Sequence, residues 1–176
     1  MPLPASGLTA NYLGAQNGSF EPQRMNNGLF RIFGVPGDSG DLLVLSLDSF
    51  PVPKQDNNVL EAFFLNQKRR FSGTADPQEM SVVYKDFCDK NTAKILMGWR
   101  HVVYDPKTGV INLARNYKRT GMVEIFAPNG TLFRQYDLIG VWPSAMDPGD
   151  IDMTSDDMIK LTVTFQVDNI IQTFAY

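Results

Sequence analysis

A chain of 176 residues with 43% hydrophobic and 20% charged residues suits one domain with a real hydrophobic core and excludes wholesale disorder. Sixteen basic against nineteen acidic residues leave a net charge of -3, which argues against a nucleic-acid clamp built on a basic stripe. The single cysteine, Cys88, excludes an internal disulfide, so no oxidising compartment is implied.

Residues 1–27 read as an extended arm rich in Gly, Ala, Ser, Asn and Pro, uncharged up to Glu21. The start has neither the basic nor the apolar region of a secretory leader, and no apolar run is long enough to span a bilayer. A soluble protein made in a cytoplasm is expected. "GLFRIFGV" (28–35) is the first strand candidate. After a turn at "PGDSGD", the segment "LLVLSLDSF" (42–50) is apolar on both faces at its start, which predicts a central strand. "PVPKQDNN" (51–58) is a loop, and "VLEAFFLNQKRRFSG" (59–73) fits a short helix or an irregular strand pair.

"EMSVVYKDF" (79–87) has the β-branched and aromatic content of a strand. Asp89 or Asn91 can cap a helix over roughly 90–103, with Ala93, Leu96 or Met97, Arg100 and Val103 on one stripe. "VINLARNY" (110–117) resumes strand character. Residues 122–142 read as a hairpin around Asn129-Gly130, closed by Pro143, which forces Trp142 to be extended. In the last strand Ile159, Leu161, Val163, Phe165 and Val167 face one way; Met158, Lys160, Thr162, Thr164 and Gln166 face the other. Seven or eight strands and one helix, without βαβ alternation, predict a mainly antiparallel β-sandwich or barrel with a packed helix. The domain is expected over 28–168, with a tail at 169–176.

No enzyme emerges from the motifs. Asp147, Asp150, Asp152, Asp156 and Asp157 fail as a calcium loop, because Ser155 stands where the sharp-turn Gly belongs and Leu161 where the bidentate Glu belongs. They read as a solvated connection between strands. Cys88 and His101 lack a third partner for a catalytic group or ligands for zinc, so they read as a buried Cys and a helix-surface or packed His. No phosphate loop occurs, and "PGDSGD" lacks a strand-to-helix elbow. The basic run Lys68, Arg69, Arg70 reads as contacting acidic surface on a partner or on a copy of this chain, rather than phosphate.

A strand running into Gly140, Val141, Trp142 and Pro143, then "GDIDMTSDD" and the closing "MIKLTVTFQVD", resembles the C-terminal third of contractile-tailed phage tail tube proteins. "NGLFRIFGV" is similar to that family's first strand. "DSFPVPKQDNNVLEAFFLNQKRRFSGT" sits where the family carries a long loop that packs on neighbouring subunits. The arm at the start and the tail "NIIQTFAY" are longer than the family pattern.

The resemblance implies a structural virion protein, a homo-hexameric ring stacking into a hollow tube within a contractile sheath. Such a tube is assembled in the host cytoplasm and conducts DNA into the host cell. Implied partners are sheath, baseplate and tail terminator proteins, with tape measure protein or DNA in the lumen, bound without sequence specificity. No cofactor, metal or membrane anchor is implied. Stacking contacts are expected from Lys54, Asp56, Asn57, Asn58, Gln67, Lys68, Arg69 and Arg70, with Phe63 and Phe64 as apolar anchors or as part of the protomer's own core. Thr162, Thr164 and Gln166 are candidates to face the lumen, since a lining that passes DNA should not adhere to it. The alternatives are a tube protein of a type VI secretion or bacteriocin-type particle, a baseplate protein that starts the tube, and a ligand-binding β-barrel with a concave pocket.

Overall fold

A computed structural model describes residues 23–37, 42–89, 91–154 and 156–174, so most of the expected N-terminal arm lies outside the described residues. Nine strands occur among them: β1 (Gly28–Phe33), β2 (Leu47–Ser49), β3 (Gln55–Phe64), β4 (Gln67–Pro77), β5 (Met80–Lys85), β6 (Arg119–Phe126), β7 (Leu132–Asp147), β8 (Lys160–Gln166) and β9 (Asn169–Phe174). The helical segments are α1 (Leu42–Leu45), α2 (Thr92–Val103) and α3 (Ala114–Tyr117).

Seven strands form one antiparallel sheet in the order β1-β6-β7-β8-β5-β2, with β9 also on β7; β3 and β4 form a separate pair. The sixteen-residue β7 organises this sheet. Its first part pairs with β6 and β9, and its last part, from Trp142, pairs with β8. One strand thus serves two halves of a nearly closed barrel.

Gly140 makes the corner. Its φ of 74° is in the left-handed region, and a Cβ there would collide with the Asp168 carboxylate. Asp168 lies at the matching bend between β8 and β9. Its N–H donates to the Ile139 carbonyl at 2.9 Å, and its carboxylate takes the Lys118 ammonium at 2.6 Å.

The alternation of the closing strand holds from Leu161 onward: Leu161, Val163, Phe165 and Val167 are buried, and Thr162, Thr164 and Gln166 are half-buried on the other face, whereas Ile159, expected on the buried face, precedes the strand and is exposed. The core forms where these residues meet Phe30, Val82, Val123 and Leu138 from the other strands. Trp99 of α2 closes it, fully buried, 5.7 Å from the Phe165 ring. Asn91 caps α2, its side chain accepting from the Lys94 N–H at 2.9 Å.

Several expected elements differ. Leu42–Leu45 is a helical turn and only Leu47–Ser49 a short edge strand, because a uniformly apolar run has no period and packing decides its form. Ala114–Tyr117 is also a helical turn, tied to α2 by the Trp99 Nε1–H bond to the Tyr117 carbonyl at 2.8 Å. The buried stripe of α2 is Thr92, Leu96 and Trp99, with Met97 and Arg100 outside.

Pro143 does not close its strand. It pairs in register with Phe165 beside a bulge, on a stretch of β7 whose other edge carries no strand among the described residues, so its missing donor leaves no ladder broken. The Asn129-Gly130 hairpin is in place but turns through five residues, with the Ala127 N–H donating to the Thr131 carbonyl. Asn169–Phe174, expected as a tail, is a strand of the sheet.

Candidate assembly surface

The segment left open as helix or strand pair is a β-hairpin, β3–β4, standing apart from the barrel sheet as an arm. Of its strand residues only Ala62 and Pro77 are not exposed. Its root is closed by the Gln78 N–H donating to the Lys54 carbonyl at 2.9 Å. All ten expected stacking residues lie on it. Lys54, Asp56, Asn57 and Asn58 are near the root; Phe63, Phe64, Gln67, Lys68, Arg69 and Arg70 are near the tip. Neither phenylalanine belongs to the core: Phe63 is 73% and Phe64 54% exposed.

Register gives the arm two unlike faces. Glu61 opposes Arg70 and Phe63 opposes Lys68 on one. There Glu61 binds Lys68 at 2.5 Å and Arg70 at 3.4 Å, and the Lys68 ammonium lies 5.9 Å from the Phe63 ring centre. Leu60 opposes Phe71, Ala62 opposes Arg69, and Phe64 opposes Gln67 on the other. That face is apolar except for Gln67 and Arg69, whose guanidinium sits 5.4 Å from the Phe64 ring centre.

The sequence reading missed Leu60, Leu65 and Phe71, all exposed. The Leu60, Ala62, Phe64 alternation was the available signal. Leu65 is the tip: it has φ 53° and is fully exposed. A leucine is disfavoured there twice, in backbone and in solvation.

The arm is bent by a bulge. Between the Asn57–Ala75 and Val59–Ser72 pairs, Asn58 faces both Gly73 and Thr74. Asn58 Nδ2 donates to Thr74 Oγ1 at 3.3 Å, and a Cβ on Gly73 would come within 2.7 Å of the Asn58 carbonyl oxygen. Only glycine fits that approach. A cleft of about 380 Å³ lies between the root (Pro53, Gln55, Asn57) and the barrel (Tyr136, Ile170, Gln172). Its lining carries no charged side chain, which gives it little of the character of an active site.

Thr162, Thr164 and Gln166 lie in one row on β8. Gln166 Nε2 donates to Glu79 at 3.0 Å, and Lys160, the cation of that row, is held by Asp48 at 2.8 Å. The acidic connection between β7 and β8 is built from local turns: Asp147 accepts from the Gly149 N–H, and Asp152 from the N–H and hydroxyl of Thr154. Those bonds, led by the backbone N–H, hold the Asp152 carboxyl below the usual carboxylate range. No group of three metal-ligating side chains occurs among the described residues. Cys88, expected to be buried, is exposed. His101 is exposed on α2.

Among solved structures, a chain of the sheath–tube complex of an extracellular contractile injection system (PVC) superposes with a TM-score of 0.65 and 14% identity, over 99% of this chain and 100% of that one. The tube-terminating cap of the anti-feeding prophage matches with a TM-score of 0.67 and 14% identity, over 89% and 93% of the two chains. The tail tube of SPP1 matches with a TM-score of 0.53 and 9% identity, over 88% and 80%. The chain has the tail tube fold. No protein-family model and no curated protein sequence matches it, so the tube fold is carried by structure, not by residue identity. The match to the sheath–tube chain runs over barrel, helix and arm alike.

Proposed function

We propose that this chain is the structural subunit of the inner tube of a contractile phage tail. Six copies form a ring, rings stack inside the sheath between baseplate and terminator, and DNA passes through the lumen. The observation that carries this reading is the arm. An isolated two-stranded hairpin is marginal in water, yet this one holds Leu60, Phe63, Phe64, Leu65 and Phe71 out of the core. Such a surface is stabilised when another subunit covers it. Thr162, Thr164 and Gln166 would line the lumen, where neutral polar groups let a polyanion slide.

A second reading is a phage-derived injection particle that carries no genome, favoured by the higher TM-scores to the PVC and anti-feeding prophage chains than to the SPP1 tube. Negative-stain electron microscopy of the purified protein over a concentration series tests the shared core of both. Six-fold rings or hollow tubes are expected, and monodisperse monomers at every concentration, with or without co-expressed baseplate, overturn self-assembly. Nucleic acid in particles from producing cells separates the two machines.

A further inference from the structure

The arm and the β7–β8 connection leave opposite ends of the same strands. β5 runs from Met80, opposite Phe165, to Lys85, opposite Lys160. The arm enters β5 at its Met80 end, and the 3.0 Å bond from Gln166 to Glu79 fixes the far end of β8 beside the arm's root. The acidic connection enters β8 at Lys160, the other end. Six residues of β5 at about 3.3 Å each set the two roughly 20 Å apart.

The two ends also differ in chemistry. The arm tip carries Lys68, Arg69 and Arg70 against the single acid Glu61, beside the apolar face of Leu60, Phe64 and Phe71. The connection carries five aspartates over 147–157 and no basic residue, with Ile151 79% and Met153 95% exposed between them. Lys85 and Lys160, at the end of β5 and β8 where it enters, are both bound to Asp48, at 3.1 and 2.8 Å. Both surfaces therefore combine exposed apolar groups with charge, of opposite signs.

We propose that the arm of one copy docks on the β7–β8 connection of the next. Phe64 and Leu65 pack on Ile151 and Met153, and Arg69 with its neighbours meets Asp150 and Asp152. The proposal rests on the tube reading and adds where on the second copy the arm lands. Because the contact joins two different surfaces of the chain, it is head-to-tail and leaves one arm and one connection open at each step. Such a heterologous contact propagates into a stack instead of closing into a dimer. Complementary charge selects the direction, since two arms or two connections repel.

Disulfide trapping tests the landing point. In a Cys88→Ser background, Phe64→Cys combined with Met153→Cys should give, after mild oxidation of assembled protein, a ladder of linked chains on a non-reducing gel; either substitution alone should not. Leu65→Cys with Ile151→Cys is the second pair. A charge swap gives an independent measure: reversing Lys68, Arg69 and Arg70 to Glu should raise the concentration needed for stacking at least about tenfold. Reversing Asp150 and Asp152 to Lys should do the same, and combining both sets in one chain should recover stacking. Normal tubes without a ladder from either pair, or a ladder only to a different tail protein, overturn the proposal while leaving the tube reading in place. An unmodified protein that never forms tubes overturns the tube reading itself.

Discussion

Gly140 and Leu65 are both residues whose backbone conformation is costly, and they differ in who benefits. Gly140 at φ 74° serves the protomer: it lets β7 turn between two halves of the barrel while Asp168 lies against its Cα. Gly140→Ala should destabilise the fold by about 2 kcal/mol or more, from left-handed strain and from displacing Asp168 from Lys118. Thermal melting checks it; an unchanged midpoint would mean the corner adapts. Leu65 at φ 53° serves nothing within the protomer, since its side chain is fully exposed. Gly140 begins the Gly-Val-Trp-Pro motif, but its role is not legible there. The partner that requires glycine, Asp168, is distant in the chain.

The arm is an element without a core, and the barrel is a core that does not need the arm. Its residues are exposed almost throughout, and its root is already closed by the Lys54–Gln78 backbone bond. Replacing residues 56–76 with a two-residue turn should therefore change unfolding free energy by less than about 1 kcal/mol, while abolishing tube formation. Circular dichroism melting and electron microscopy of the same sample measure both. A large loss of stability would show that the arm contributes to the barrel after all. That 59–73 is a hairpin could not be read from its sequence, because apolar residues fall on both faces and the Leu65-Asn66 turn lacks the usual glycine.

The molecule as a whole is polar in the geometric sense, with the basic arm rooted at one end of the β5–β8 strands and an acidic connection at the other. Asp48 ties β2 to β8 and β5 at the acidic end. Hydrogen bonds from Lys160 first and Lys85 second hold its carboxyl below the usual range, and the bond to Asp48 raises Lys160. A depressed carboxylate contributes stability above the ordinary aspartate value, about 4, and loses it as pH falls through the lower folded value. Asp48→Asn should thus melt below the parent protein near neutral pH, with Lys85 and Lys160 left facing each other. The difference should close as pH falls below roughly 4. A gap that persists in acid would assign the effect to packing instead of charge.

Alternation over 161–167 identified the buried and outer faces of β8 because a period of two is a local property, written in consecutive side chains. The antiparallel β class and the capped helix followed from equally local signals of turn and cap. The outer limits of sheet and helix did not. Leu42–Leu45, Ala114–Tyr117 and Asn169–Phe174 took their forms from contacts with β1, α2 and β7 respectively. The two unlike faces of the arm, the corner at Gly140 and the placing of the arm's root and the acidic connection at opposite ends depend on strand register. Register is a relation between segments far apart in the chain, and no window of sequence contains it.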